Sequence, residues 1–118
     1  IKLKPERPDA WLNLGTQLAA LNRHEEAIAT FQEFIKLKPD APMTTFLMGI
    51  SYMELKRFKE AIAAFRQALK LQPNLASARY KLGLAYMEIG DRYGAQEQAQ
   101  ALEKLDAKLA QQLYQALK

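Results

Sequence analysis

Cysteine is absent from this chain. That excludes disulfides, thiol nucleophiles and cysteine-ligated zinc, and it leaves the redox compartment open. Histidine occurs once, as His24, at a turn or the first position of a predicted helix. Packing or solvation accounts for it there, not catalysis. No Asp, Glu and His residues fall at metal-ligand spacing, because carboxylates such as Glu25 and Glu26 are adjacent and helix-initial. There is no glycine-rich phosphate loop and no nucleophile motif, so neither enzyme activity nor a cofactor is expected. No apolar run approaches the roughly 20 residues that cross a bilayer. Ile1 to Pro8 mixes Lys and Arg with Leu and Pro and has no apolar segment of the kind a signal peptide carries. The first residue is Ile, so the expectation is an excised or processed piece of a longer protein.

The charge is mildly one-sided, at +4. A basic chain can mark a nucleic-acid binder when its charges form a stripe. Here they are scattered. Lys36, Lys38 and Lys70 fall in or just past the last turns of predicted helices, where cations complement the helix dipole. Lys56 and Arg57 fall in a predicted turn. No nucleic-acid partner is expected.

What the chain does hold is repetition. Its 118 residues, 49% hydrophobic and 25% charged, suffice for one soluble domain with an apolar core. Gly15, Gly49 and Gly83 are evenly spaced, and Pro5, Pro39 and Pro73 recur at the same interval. A period of about 34 residues marks a stack of supersecondary units. The central unit, 42–75, carries Met48-Gly49-x-x-Tyr52, Phe58, Ala61-x-x-x-Phe65 and Pro73. Its predecessor, 8–41, carries Leu14-Gly15-x-x-Leu18, His24, Ala27-x-x-x-Phe31 and Pro39. Residues 1–7 read as the tail of an earlier unit, since Ile1 to Pro5 nearly copies Ile35 to Pro39.

Each unit reads as two helices. Apolar residues recur at helical spacing in Trp11, Leu14, Leu18 and Leu21, and again in Ala27, Phe31, Phe34 and Ile35. Pro39 and Pro42 end one unit and open the next. Glycine inside a helix costs about 1 kcal/mol against alanine. Three registered glycines therefore need a packing reason. The expectation is close backbone approach, with Gly15, Gly49 and Gly83 opposite Ala27, Ala61 and Ala95. The third unit, 76–106, starts well with Tyr80, Leu82, Gly83, Leu84 and Tyr86. It then replaces the late aromatic with Ala99 and lacks the proline, with Ala107 in its place. Residues 107–118 read as a capping helix, apolar at Leu109, Leu113, Ala116 and Leu117 and polar on the other side. Residues 95–117 also fit one unbroken stripe. Asp106 is either a helix cap or a solvated residue of one long helix, and register favours the break.

Trp11-x-x-Leu14-Gly15-x-x-Leu18, Ala27-x-x-x-Phe31 and Pro39 resemble the tetratricopeptide repeat. The second unit departs at Thr45, and the third at Arg79, Ala99 and Ala107. The resemblance covers nearly the whole chain. It implies an all-α fold, a right-handed α-α superhelix of antiparallel helix pairs with a concave inner surface. It also implies a protein-binding or scaffolding role, by analogy.

In proteins of this family the groove is lined by a second face of each first helix. The matching residues are Leu12, Asn13 and Thr16, then Met43, Phe46, Ile50 and Met53, then Tyr80, Lys81, Leu84 and Met87. Leu47 belongs equally to the groove or to packing against the adjacent unit. Large apolar residues left exposed on such a face call for a partner, and methionines suit an adaptable one. Phe46 and Tyr80 are accordingly expected to be accessible and dispensable for folding. Some resembling domains clamp a C-terminal carboxylate with Lys, Asn and Arg. The matching places hold Leu12, Thr16, Leu47, Ser77 and Lys81, so that clamp is not expected. Lys81 with Asn13 could still hold a ligand's backbone or a single acid. Glu54 and Glu88, one repeat apart near the groove, read as solvated helix ends.

The expectation is therefore a protein–protein interaction module with a largely hydrophobic groove, cytoplasmic, with periplasmic or organellar placement left open. A scaffold that self-associates through the groove or its N-terminal end is the alternative. An RNA-binding helical repeat is a third reading, disfavoured by the repeat length, the proline corners and the apolar groove.

Overall fold

The computed structural model describes residues 8–118. The expectation that residues 1–7 belong to an earlier unit lies outside them. Seven helices follow in order: α1 (Pro8–Ala20), α2 (His24–Leu37), α3 (Pro42–Glu54), α4 (Phe58–Leu71), α5 (Ala76–Glu88), α6 (Arg92–Leu105) and α7 (Ala107–Ala116). The first helices of the three units begin at equal intervals along the chain, and so do the second helices.

The turns inside the units repeat as faithfully as the helices. Asn22, Lys56 and Gly90 each adopt a left-handed backbone, with φ of 63°, 59° and 82°. Around each, two backbone bonds close the end of the first helix. Asn22 N donates to Ala19 O and Arg23 N to Leu18 O, and the pattern recurs at Lys56 and Arg57 and at Gly90 and Asp91. This is the Schellman arrangement, which satisfies carbonyls that a helix end leaves unpaired. A side chain in this backbone region costs about 1–2 kcal/mol. A Cβ at Gly90 would meet nothing within 4 Å, so the cost there is purely conformational. Gly90→Ala is expected to lower stability by about 1 kcal/mol and Lys56→Gly to raise it by a similar amount, both measurable by urea unfolding.

The registered glycines have a packing role that goes beyond the expected facing of glycine and alanine. A Cβ added at Gly15 would lie 2.5 Å from Phe31 Cε1, and one at Gly49 would lie 2.6 Å from Phe65 Cε1. The nearest neighbour is thus the aromatic ring one turn beyond the alanine. Each glycine is the seat of its own unit's phenylalanine. Ala27 and Ala61 are fully buried beside it, but they are not the atoms a side chain would strike first. The physical reason is reach. The alanine brings the second helix close, and the ring at the next turn then lies across the first helix where no Cβ stands in the way.

The third unit has Ala99 where the ring should be. The seat at Gly83 is taken instead by Leu113 of α7, whose Cδ2 would lie 2.5 Å from an added Cβ. Leu113 and Leu102 are fully buried. The chain does break between α6 and α7, at Asp106, whose side chain accepts from Leu109 N at 3.2 Å and caps α7. The break lets α7 turn back onto both α5 and α6. Arg92 Nη2 donates to Leu117 O, and the Tyr114 hydroxyl donates to Glu103, tying α7 down at its far end.

The stack measures 47 × 24 × 20 Å. Successive first helices approach closely, α1 to α3 and α3 to α5, whereas the backbones of α2 and α4, and of α4 and α6, stand farther apart. A row that approaches closely beside a row that splays makes the stack concave on the first-helix side.

Candidate functional site

The concave side is built from α1, α3 and α5, with α7 closing its C-terminal end. Along it the expected residues divide by depth. Asn13 and Thr16 are exposed, and the Thr16 hydroxyl donates to Leu12 O at 2.9 Å. Met43 is the most open of the large apolar residues expected on this face, at 52% exposure. Leu12, Ile50, Met53, Tyr80, Lys81, Leu84 and Met87 are half-buried. Ile50 and Met53 rest on the central core, which includes Leu82 and Ala85 of the next unit. Tyr80, Leu84 and Met87 rest on the cluster formed by Ala99, Leu102, Ala110 and Leu113.

Phe46 departs from expectation. It is buried, at 8% exposure, with its ring tilted 47° against Phe65 at 5.8 Å between centroids. The geometry is a favourable aromatic pair. Leu12 and Tyr80 hold the same register position and remain half-buried, so the burial belongs to Phe46 and not to the column. The accessible apolar strip in the middle unit is therefore Met43, Ile50 and Met53. Leu47 resolves toward packing: it is half-buried with Leu12, Leu14 and Ala19 against the core of the first unit.

Sequence reasoning missed one wall. Lys108, Gln111, Gln112 and Gln115 of α7 line a cleft of about 430 Å³ together with Tyr80. Their polar pattern signals a solvated cap and says nothing of which way that cap folds. Lys81 and Lys108 give this end of the concave side two cations, while Glu54 and Glu88 are exposed.

Other charged groups serve the scaffold. Arg23 and Arg57 each grip the glutamate one turn further on, Glu26 and Glu60, through two bonds. The hydrogen bond and the carboxylate's charge raise each guanidinium pKa above its ordinary value. Arg57 also lies over the Tyr52 ring, 5.1 Å from its centroid. In the third unit Asp91 and Gly94 replace this pair, and Asp91 caps α6 by accepting from Gly94 N at 2.9 Å. The hydrogen bond to Glu103 pushes the Tyr114 phenol above its ordinary pKa. His24 Nδ1 sits 3.2 Å from Ser51 Oγ and links the first unit to the second. Among the described residues no group of three or more His, Asp or Glu side chains could hold a metal, and no helix is long and apolar enough to cross a membrane.

Paired helices at a constant period, stacked with their first helices inward, define an all-α solenoid. Two family models, described as Tetratricopeptide repeat and TPR repeat, match residues 1–42 and 49–90 and together span most of the chain. The chain is a tetratricopeptide-repeat protein, with the right-handed superhelical fold of that family. Comparison with curated proteins finds no match. Among solved structures it is similar to MamA, with 22% identity over 96% of this chain and 70% of that one, at a TM-score of 0.86. It is also similar to the first TPR domain of Spaghetti (RPAP3) bound to an HSP90 peptide, with 18% identity over 99% and 98% of the two chains and a TM-score of 0.84. A further crystal form of MamA shares 24% identity over 86% of this chain and 60% of that one, at a TM-score of 0.79. At these identities the likeness is one of fold.

Proposed function

We propose that the chain is a non-enzymatic protein–protein interaction module that holds a peptide or protein segment on its concave side. The observation that carries this reading is the row Met43, Ile50, Met53, Tyr80, Leu84 and Met87. These large apolar side chains lie on the face along which the first helices approach one another, and each keeps part of its surface in water. Fully burying such a side chain is worth about 1.5–3 kcal/mol, so a partner that completes the burial of several has enough driving force for specific binding. The solved domain of Spaghetti with its bound HSP90 peptide shows that this fold can carry a short peptide. The groove residues here differ from a carboxylate clamp: Leu12, Thr16 and Leu47 are not cations, and Lys81 stands without the set. A segment with spaced apolar anchors fits this face, with an acidic residue toward Lys81 and Lys108.

The test uses peptides selected from a displayed random library and measured by calorimetry. Ile50→Glu and Leu84→Glu are each expected to weaken binding at least tenfold. Both side chains are half-buried, so each substitution is also expected to cost about 1 kcal/mol or more of stability, and binding is measured well below the melting temperature with folding checked by circular dichroism. Binding that survives both substitutions at full strength would place the partner elsewhere. Self-association through the same face predicts a different result, in which the free chain sediments as an oligomer and Leu84→Glu returns it to a monomer.

A further inference from the structure

Three cations meet on the outer side of the stack, between α4, α5 and α6. Arg66 and Lys70 of α4, Arg79 of α5 and Gln98 of α6 line a cleft of about 470 Å³, together with Tyr86 and the carboxylate of Glu97. Arg79 is half-buried and held in place. Its Nε donates to Pro73 O at 3.2 Å and its Nη1 to Gln98 Oε1 at 3.1 Å. Both acceptors are neutral, and among the described residues Nη2 has no partner. The ion pairs among the described residues are Arg23 with Glu26, Lys36 with Glu33 and Arg57 with Glu60. Arg66, Lys70, Arg79 and Glu97 belong to none of them, so the cleft holds three positive charges against one negative. The fold does not demand this chemistry. Where this cleft has Arg66, Arg79 and Gln98, the preceding one has Gln32, Thr45 and Ala64. One unit later the place of Arg66 is again uncharged, as Gln100.

We propose that this cleft is a second binding site, and that its ligand is the phosphoryl group of a phosphorylated side chain on a protein partner. A doubly charged phosphate monoester matches the excess of positive charge and brings three strong acceptor oxygens. Guanidinium groups present N–H donors in a planar fork suited to such oxygens, and Lys70 adds a compact positive charge. Arg79 is the organising group. Two bonds to neutral acceptors already hold its guanidinium, so less side-chain freedom is lost when a ligand binds. A carboxylate fits less well, with one charge and two oxygens. The cations line a cleft between helices and are not spread over a plane, which suits one phosphoryl group and not the flat surface of an anionic membrane. Glu97 opposes any anion here and holds the affinity below what the three cations alone would give. The proposal rests on the reading of the chain as a protein-binding module, but it uses the side opposite the concave face.

The experiment is an NMR titration of the whole chain with N-acetyl-O-phosphoserine amide at constant ionic strength. It reads the Arg79 side-chain N–H and the backbone amides of α4, α5 and α6. A saturable shift is expected at the cleft. The unphosphorylated serine amide should give none, and N-acetyl-aspartate amide should bind at least fivefold more weakly. Inorganic phosphate should bind no more tightly than the phosphoserine probe. Arg79→Thr, which copies the middle unit, should weaken binding at least tenfold. Arg66→Gln should weaken it at least threefold. That change copies the units on either side at an exposed position, so it separates binding from any folding defect of the Arg79 variant. Glu97→Gln should tighten binding at least twofold. Lys104→Gln, which removes an exposed cation of α6 outside the cleft, should leave binding unchanged. Ile50→Glu on the concave side should also leave it unchanged, so the two sites fail separately. The absence of a saturable shift overturns the proposal. So does an aspartate probe that binds equally well, inorganic phosphate that binds more tightly, or Lys104→Gln that weakens binding as much as Arg66→Gln. Phosphatidylserine vesicles that retain the wild-type chain but not Arg79→Thr would assign the cleft to a membrane and overturn it as well.

Discussion

Leu113→Ala is expected to destabilise the protein more than any other single truncation in α7, by about 3–5 kcal/mol, the cost of emptying a tightly packed leucine site. Leu113 is fully buried and seated against Gly83, where the earlier units place a phenylalanine ring from their own second helix. Removing it leaves a void bordered by a glycine, which has no side chain to move into the space, and by the small residue Ala99. The neighbours are helices fixed by their own turns, so collapse is poor and the cavity persists. The loss should be localised. In hydrogen exchange, α5, α6 and α7 are expected to lose protection together while α1 and α2 keep theirs, as a stack coupled through nearest neighbours requires. Leu109→Ala serves as the comparison. Leu109 is only half-buried, and its truncation should cost nearer 1 kcal/mol, about the centre of the range for point mutants. Equal effects from the two would contradict the assignment of Leu113 as the ring's replacement.

Phe46→Ala is expected to cost about 3–5 kcal/mol in urea unfolding, as for other buried aromatics. This reverses what its position in the sequence suggests. Its register partner Tyr80 is half-buried, and Tyr80→Ala should cost about 1 kcal/mol while weakening any ligand of the concave side. The pair thus separates folding from binding within one column. Loss of the tilted contact with Phe65 accounts for about 0.5–1.5 kcal/mol of the Phe46 effect beyond area. Phe46→Leu, which keeps part of the volume but not the ring, is therefore expected to fall between wild type and alanine. A melting temperature unmoved by Phe46→Ala would return Phe46 to the surface.

Much of the architecture was legible in the residues because a solenoid repeats its instructions. Pro42 at the start of α3, the glycine column and the alanine column set helix positions that the structure follows from unit to unit. What the sequence could not convey is depth and partner choice. Phe46 and Ile50 lie one turn apart and share a helix face, yet one is buried on Phe65 and the other stays half-exposed. A helical wheel fixes an angle around the axis. It does not fix the rotamer that sends a long side chain inward or outward. The glycines show the same limit. Their register announced close approach, but the approaching group comes from the same unit's second helix at Gly15 and Gly49 and from α7, beyond the unit, at Gly83. Only the first relation repeats. The substitution of Leu113 for the missing ring breaks the period, so periodicity could not reveal it. The wall that α7 contributes to the concave side was hidden for the same reason. Its glutamines and Lys108 look like any solvated cap until the turn at Asp106 directs them beside Tyr80.

One large side chain seated on each unit's glycine closes that unit and leaves the first-helix face free for a partner. A double-mutant cycle between Ala99→Phe and Leu113→Ala tests this most directly. Ala99→Phe alone should overpack the third unit and cost about 1–3 kcal/mol, because Leu113 already holds the seat. In the Leu113→Ala background the same ring should find the seat empty and restore stability, so that the double variant is more stable than Leu113→Ala alone. Two costs that simply add would mean that the ring and the leucine do not compete for one place, and the common plan of the three units would be wrong.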